Sequence, residues 1–302
     1  MSTLPNVAFL GLGHMGGPMA ANLVKAGYPV TGYDPVPAAQ EQGRADGLTI
    51  VESATDAVRD ADVVITMLPN GALVLKLYDE VLPAARPNTL FVDSSTIDVA
   101  DARAAHEEAV QAGHRAIDAP VSGGVAGAAA GTLAFMVGGS EEDFEAAKPL
   151  LEVMGRKVVH CGGSGVGQAA KICNNMILGV SMIAISEAFV LGEKLGLTNQ
   201  ALFDVASNAS GQCWALTSNC PVPGPVPTTP ANNDYQPGFA AALMDKDLGL
   251  AANALRTNNV DAELGLRAAE IYHRFNTSGG GGLDFSAIIT EIRNRSTEQE
   301  TQ

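Results

Sequence analysis

Lys171, Asn174 and Asn175 carry the first chemical signal, because they stand at i, i+3 and i+4 of a helical pattern and so share one face. Their neighbours Ile172, Met176, Ile177 and Leu178 are apolar, which argues against an ordinary solvated face. A free lysine titrates at about 10.4, too high for a base at neutral pH. Desolvation, a nearby positive charge and a helix N-terminus one turn away would all lower that value. Such a lysine takes a hydroxyl proton while hydride leaves the same carbinol carbon, and its ammonium returns the proton in reverse. No metal is needed. A snorkelling lysine flanked by capping amides is the plainer alternative.

A second signal lies near the start. Residues 6–11 read as a strand that runs into Gly11-Leu12-Gly13-His14-Met15-Gly16, and a helix follows. In that context the glycines serve a dinucleotide: Gly11 for the tight turn, Gly13 for backbone approach to a pyrophosphate, Gly16 for close packing of helix on strand. The phosphates would sit at the helix N-terminus. Asp34 ends the next strand, where a carboxylate accepts bonds from ribose hydroxyls and repels a 2′-phosphate. Pro35, Val36 and Pro37 follow, and the first arginine is Arg44, so NAD is expected rather than NADP. The bland reading is a glycine-rich turn with a surface aspartate.

The third is Asp118-Ala119-Pro120-Val121-Ser122-Gly123-Gly124, at the end of a strand. The Ser122 hydroxyl and the backbone N–H groups of Gly123 and Gly124 could hold a small carboxylate. Taken alone, this is equally a simple turn.

The elements that must position these residues change character along the chain. Strands are expected at 6–11, 29–34, 62–68, 89–93, 115–118, 133–137 and 157–160, alternating with helical stretches such as 15–26, which Gly27 should stop in a left-handed conformation. That rhythm predicts crossover units and a parallel sheet. After GGSGVG (162–167) the strand signal vanishes. One long helix is expected over 169–195, then others at 200–207, 239–256, 262–275 and 285–295. The fold class is therefore α/β: a Rossmann-like dinucleotide-binding domain (1–164), then an all-α substrate and oligomerisation domain (165–302), joined by a long interdomain helix. Residues 221–230 hold five prolines in ten and can be neither helix nor central strand. SGGGG (278–282) reads as a flexible connection.

Composition narrows the function. The 302 residues are about two domains' worth, and 46% hydrophobic residues suffice for a core. Net charge is −15, which argues against nucleic acid and anionic membrane surfaces, since both need a cationic footprint. The start MSTLPNVAFLGLG has no basic n-region or cleavage site, and no unbroken apolar run of about 18 residues occurs. A cytoplasmic location and no membrane partner are expected. Cys161, Cys173, Cys213 and Cys220 form no CxxC or Cys/His set, and the five histidines show no ligand spacing, so no metal is expected. Cys173 is expected to fill space inside its helix.

These motifs together resemble the β-hydroxyacid dehydrogenase family, and most closely its bacterial 3-hydroxyisobutyrate dehydrogenase branch. The resemblance rests on FLGLGHMGGPMAANL (9–23), DAPVSGG (118–124), GQAAKICNN (167–175) and GFAAALMDKDLGLA (238–251), in order and at full-length spacing. It implies that Lys171 is the catalytic lysine and that Ser122, Gly123 and Gly124 bind the substrate carboxylate, with Asn174 and Asn175 completing the pocket. It also implies cofactor contacts from Met67, Leu68, Pro69, Thr96, Phe239 and Lys246, besides the 11–16 turn and Asp34. Asp247 and Trp214 would lie beside substrate, and the proline loop would border the same cleft. Tyr33-Asp34-Pro35 does not match the NADP-using glyoxylate reductase branch, and the retained lysine separates this chain from imine-reducing relatives.

The expected activity is NAD-dependent oxidation of a small β-hydroxy acid, first of all 3-hydroxyisobutyrate to methylmalonate semialdehyde in valine breakdown. L-serine, 3-hydroxypropionate and tartronate semialdehyde are the alternatives, since a methyl, amine or hydroxyl difference is worth only about 1–3 kcal/mol in an apolar pocket. A non-catalytic NAD-binding scaffold is the remote one. Long helices with apolar residues on several faces, as over 176–195, point to a homodimer or homotetramer.

Overall fold

The computed structural model describes residues 4–298. The chain divides into two compact units, Met1–Lys171 and Ile172–Gln302, and the division falls inside a helix.

The first unit winds in crossovers: β1 (Val7–Leu10), α1 (Gly16–Lys25), β2 (Val30–Tyr33), α2 (Pro37–Ala45), β3 (Thr49–Ile50), α3 (Ala54–Val58), β4 (Val63–Thr66), α4 (Gly71–Val81), β5 (Leu90–Asp93), α5 (Val99–Gln111) and β6 (Arg115–Asp118). Strands β1 to β6 are parallel in the order β3-β2-β1-β4-β5-β6. The chain then reverses. β7 (Val121–Ser122) carries on past Pro120, α6 (Gly124–Ala130) follows, and β8 (Leu133–Gly138) pairs antiparallel with β6 and β7. After α7 (Glu141–Met154), β9 (Gly155–Gly162) closes the sheet parallel to β8.

Alternation along the central strands builds a core on each face of the sheet. Val7 and Phe9 of β1, Ile65 of β4 and Val92 of β5 bury against α1 and α7 on one face. Ala8, Leu10, Val64 and Phe91 bury against α4 and α5 on the other. With both faces covered, β1, β4 and β5 are wholly buried, as parallel strands of this class must be. Gly27 takes φ +90° after α1, the expected left-handed stop. The two-residue strands β3 and β7 lie below what a hydrophobic pattern can show.

α8 (Val166–Lys194) is continuous across the division and starts three residues before the expected point. It is long and apolar enough to cross a membrane by length and composition alone, although Ser181, Ser186 and Glu187 interrupt it. The second unit continues with α9 (Asn199–Ala206), α10 (Trp214–Thr217), α11 (Ala241–Thr257), α12 (Glu263–Thr277) and α13 (Ile288–Glu298). Met182, Met244, Leu248, Tyr272, Phe275 and Phe285 form its main core.

The proline-rich segment, neither helix nor strand as expected, is packed into the second unit: Cys220, Val222 and Val226 are buried with Phe189 and Leu216. Thr229 Oγ1 donates to the Cys220 carbonyl at 2.6 Å, and the Tyr235 hydroxyl donates to that of Pro221 at 2.8 Å. The expectation of a flexible connection at the glycine run needs correcting. Residues Gly280–Gly282 form a 3₁₀ turn, and a Cβ on Gly280 would lie 2.4 Å from the Phe275 ring. Gly280 is there because its backbone packs directly on that ring.

Candidate active site

Gly11–Gly16, Asp34, Met67–Pro69 and Thr96 all follow the carboxyl ends of β1, β2, β4 and β5. Strand order reverses between β1 and β4, the switch point at which doubly wound sheets bind ligands. The three glycines differ as a dinucleotide site requires. A Cβ on Gly11 (φ +97°) would lie 2.4 Å from the Met67 carbonyl oxygen, and one on Gly16 would lie 1.9 Å from that of Gly11. At Gly13 it would meet nothing within 4 Å. Backbone there faces open space, at the start of a helix with no side-chain cap and no acid in its first turn. Those N–H groups suit the pyrophosphate of NAD.

Asp34 is buried and its two oxygens are engaged: Oδ2 accepts the Leu12 N–H at 2.7 Å and Oδ1 the Val36 N–H at 2.8 Å. Each oxygen keeps a second lone pair. His14 and Gly13 are exposed, Met15 is half-buried and Leu12 is buried.

Beyond β5, Asp93 anchors the turn that holds Thr96. Its Oδ1 accepts from Thr66 Oγ1 at 2.7 Å and from Ser95 Oγ at 2.6 Å. The Ser95 hydroxyl also accepts the Leu68 N–H at 2.8 Å, so the turns after β4 and β5 are tied together. Burial pushes the Asp93 carboxyl up to about 6, against the pull of its bonds to Ser95 and Thr66.

The Ser122 turn begins where β7 ends. Gly123 and Gly124 take φ +135° and +62°, values that side chains resist. At the head of the same motif, Asp118 reaches α8. Its Oδ1 accepts the Gly165 N–H at 2.7 Å and its Oδ2 the Gln168 N–H at 2.8 Å. Burial pushes this carboxyl up as well, opposed by those two N–H groups.

On α8, Lys171 is only 6% exposed, and Asn175 is buried beside it on the same face. Asn174 donates from Nδ2 to Asn175 Oδ1 at 3.0 Å, and Asn175 Nδ2 donates to Asp247 Oδ2 at 2.6 Å. Lys246 Nζ stands 3.7 Å from Asp247 Oδ1. Cys173 was expected as an interior filler, but it is exposed, because it falls on the opposite side of the helix from the buried positions. Trp214 opens α10 and is 55% exposed.

Phe239 lies in a bend before α11, not inside the helix as the pattern suggested, and its ring packs edge-on against Phe285. The buried carboxylate of Asp284 fixes it. Asp284 Oδ2 accepts the N–H groups of Gly238 and Phe239, both at 3.1 Å. Its Oδ1 accepts Asn219 Nδ2 at 3.1 Å, Ser286 N at 3.0 Å and Ser286 Oγ at 2.7 Å. Reasoning from sequence missed Asp284 and Asp93. An aspartate two residues before a serine, as in Asp93-Ser94-Ser95 and Asp284-Phe285-Ser286, was the available signal.

Comparison with known proteins agrees with this architecture. Residues 6–163 match the NAD-binding domain of 6-phosphogluconate dehydrogenase, and 165–292 match the family described as NAD-binding of NADP-dependent 3-hydroxyisobutyrate dehydrogenase. A probable 3-hydroxyisobutyrate dehydrogenase of Mycobacterium tuberculosis is 58% identical over 292 residues, covering 97% of this chain and 99% of its own. The NAD-dependent L-serine dehydrogenase of Pseudomonas aeruginosa is 46% identical over 288 residues, covering 94% and 97%. A solved structure of the Mycobacterium tuberculosis 3-hydroxyisobutyrate dehydrogenase with L-serine superposes with a TM-score of 0.94 over 96% of this chain and 100% of that one. The chain belongs to the 3-hydroxyisobutyrate dehydrogenase family, NAD-binding oxidoreductases that act on a CH–OH group.

Proposed function

We propose that this enzyme oxidises 3-hydroxyisobutyrate to methylmalonate semialdehyde with NAD, a step of valine breakdown, and that Lys171 is its general acid and base. The observation that carries the reading is the burial of Lys171 on the same helix face as Asn175, itself bonded to Asp247. Burial takes the amine out of bulk water and holds it on one face of the helix, as a group that exchanges a proton with a bound hydroxyl must be held. Bound nicotinamide supplies the hydride acceptor. Lys171 Nζ takes the hydroxyl proton of the substrate and, in the reverse direction, gives it back. Asn174 and Asn175 orient the hydroxyl by their amides, and the Ser122–Gly124 turn holds the carboxylate with a hydroxyl and backbone N–H groups rather than a charge. Asp34 receives the adenosine ribose and favours NAD over NADP.

L-serine is the second reading, supported by the serine dehydrogenase at 46% identity and by the relative solved with L-serine. The deciding experiment is kcat/KM for NAD and NADP reduction with 3-hydroxyisobutyrate, L-serine, 3-hydroxypropionate and glycerate. A tenfold or greater preference for 3-hydroxyisobutyrate with NAD upholds the proposal. A preference for serine moves the pathway while leaving the lysine in its role.

The enzyme is further proposed to work as a homodimer or homotetramer through its helical unit. Ile177, Leu191, Leu195 and Leu264 are each 60–72% exposed there, a large apolar area to leave in water. A monomer by light scattering at micromolar concentration would dismiss that.

A further inference from the structure

Gln168 is wholly buried, and its backbone N–H and both polar atoms of its side chain are engaged. Its backbone N–H donates to Asp118. In its side chain, Nε2 donates to the Ser95 carbonyl at 2.7 Å while Oε1 accepts the Ile97 N–H at 3.2 Å. One primary amide therefore brackets a single residue, Thr96, by satisfying the backbone groups on either side of it. Those groups have no water to turn to, so losing the amide strands a buried donor and a buried acceptor together. Ser95 is fixed in turn by Asp93 and receives the Leu68 N–H. Three residues after Gln168, on the same face of α8, stands Lys171.

We propose that Gln168 is a positioning residue that locks the Thr96 turn and Lys171 into one rigid body, so that the wall of the nicotinamide site and the proton carrier keep a fixed separation. This rests on the roles assigned above to Thr96 and Lys171. Hydride leaves the carbinol carbon while the proton leaves the oxygen bonded to it, so their two acceptors must be held together. A misplacement of about 1 Å can cost about 100-fold in rate. Asp118 serves the same end from the other side, gripping the first turn of α8 by Gly165 and Gln168.

The test pairs Gln168→Met, of similar volume but without donor or acceptor, with Gln168→Glu. In cofactor-free protein, Gln168→Met should speed amide exchange at Ile97 tenfold or more. It should also lower kcat about 10- to 100-fold, with KM and the Kd for NADH within threefold of wild type. In Gln168→Glu, a protonated carboxyl offers both the donor and the acceptor, whereas an ionised one offers only acceptors. Its kcat relative to wild type should therefore recover as pH falls, while the ratio for Gln168→Met stays flat. A Gln168→Met enzyme within threefold of wild type, or a Gln168→Glu ratio that ignores pH, overturns the proposal. If wild type oxidises no β-hydroxy acid in the panel, the functional reading falls on its own. The clamp is then judged by Ile97 exchange and by the nicotinamide emission of bound NADH, and no change of either in Gln168→Met overturns it.

Discussion

The carboxylate of Asp34 accepts the backbone N–H of Leu12 at 2.7 Å, so the residue that ends β2 also braces the middle of the glycine turn after β1. The side chain proposed to choose the cofactor thus also holds local structure together. Asp34→Asn combined with Pro35→Arg should shift the ratio of kcat/KM for NAD over NADP by tenfold or more toward NADP. It should also cost about 1–3 kcal/mol in stability, because an amide N–H₂ would face a backbone N–H. Paired kinetics and urea unfolding check both, and an unchanged cofactor ratio would sink the ribose assignment.

The glycine turn offers a sharper separation. Gly13→Ala adds a methyl where nothing lies within 4 Å, so Tm should hold within about 2 °C while the Kd for NADH rises tenfold or more. Gly16→Ala drives a Cβ into the Gly11 carbonyl at 1.9 Å and should lower Tm itself. Thermal melts beside NADH fluorescence titrations distinguish the two. Equal effects of both substitutions would mean that Gly13 does not face the cofactor.

Lys171→Ala should lower kcat by about 10²–10⁴-fold, the usual loss on removing a general acid–base group, and leave NADH affinity within threefold. Steady-state rates and a binding titration suffice. A kcat loss below tenfold would mean that another group moves the proton.

The buried Asp93 makes stability depend on pH. Its carboxyl is raised from 3.8 to about 6 in the fold, so the native state holds a proton that the unfolded chain releases. The contribution of this group is therefore fully present below about 3.8 and lost as pH climbs through about 6, a change of about 3 kcal/mol. Asp93→Asn should narrow the difference in unfolding free energy between pH 4 and pH 8 by roughly that amount. Urea titrations at the two pH values give the answer, and an unaltered difference would show that Asp93 ionises normally.

The central strands were legible because residues such as Val63, Val64 and Ile65 form buried apolar runs bounded by turn residues, and the glycine motif fell where the strand pattern placed it. The face of α8 was legible because helical spacing is rigid: Lys171 and Asn175 could only lie together. What escaped depends on contacts distant in sequence. Asn175 meets Asp247 across 72 residues and Gln168 meets Ser95 across 73, and neither separation has any local signature. Cys173 misled because composition suggests burial, whereas the turn of the helix decides which side it occupies. The glycine run at 278–282 misled for a related reason. Glycine signals freedom in sequence, yet here it marks backbone pressed against the Phe275 ring.

The single carboxylate of Asp284 gathers donors from Asn219 at the mouth of the proline loop, from Gly238 and Phe239 at the entry to α11, and from Ser286 just before α13. The chain at 219, at 238–239 and at 284–286 should therefore open together, since releasing any of them uncovers the carboxylate that the others share. Drift at position 284 would loosen all of them at once. The amide protons of Gly238, Phe239 and Ser286 should accordingly exchange with solvent on a common clock.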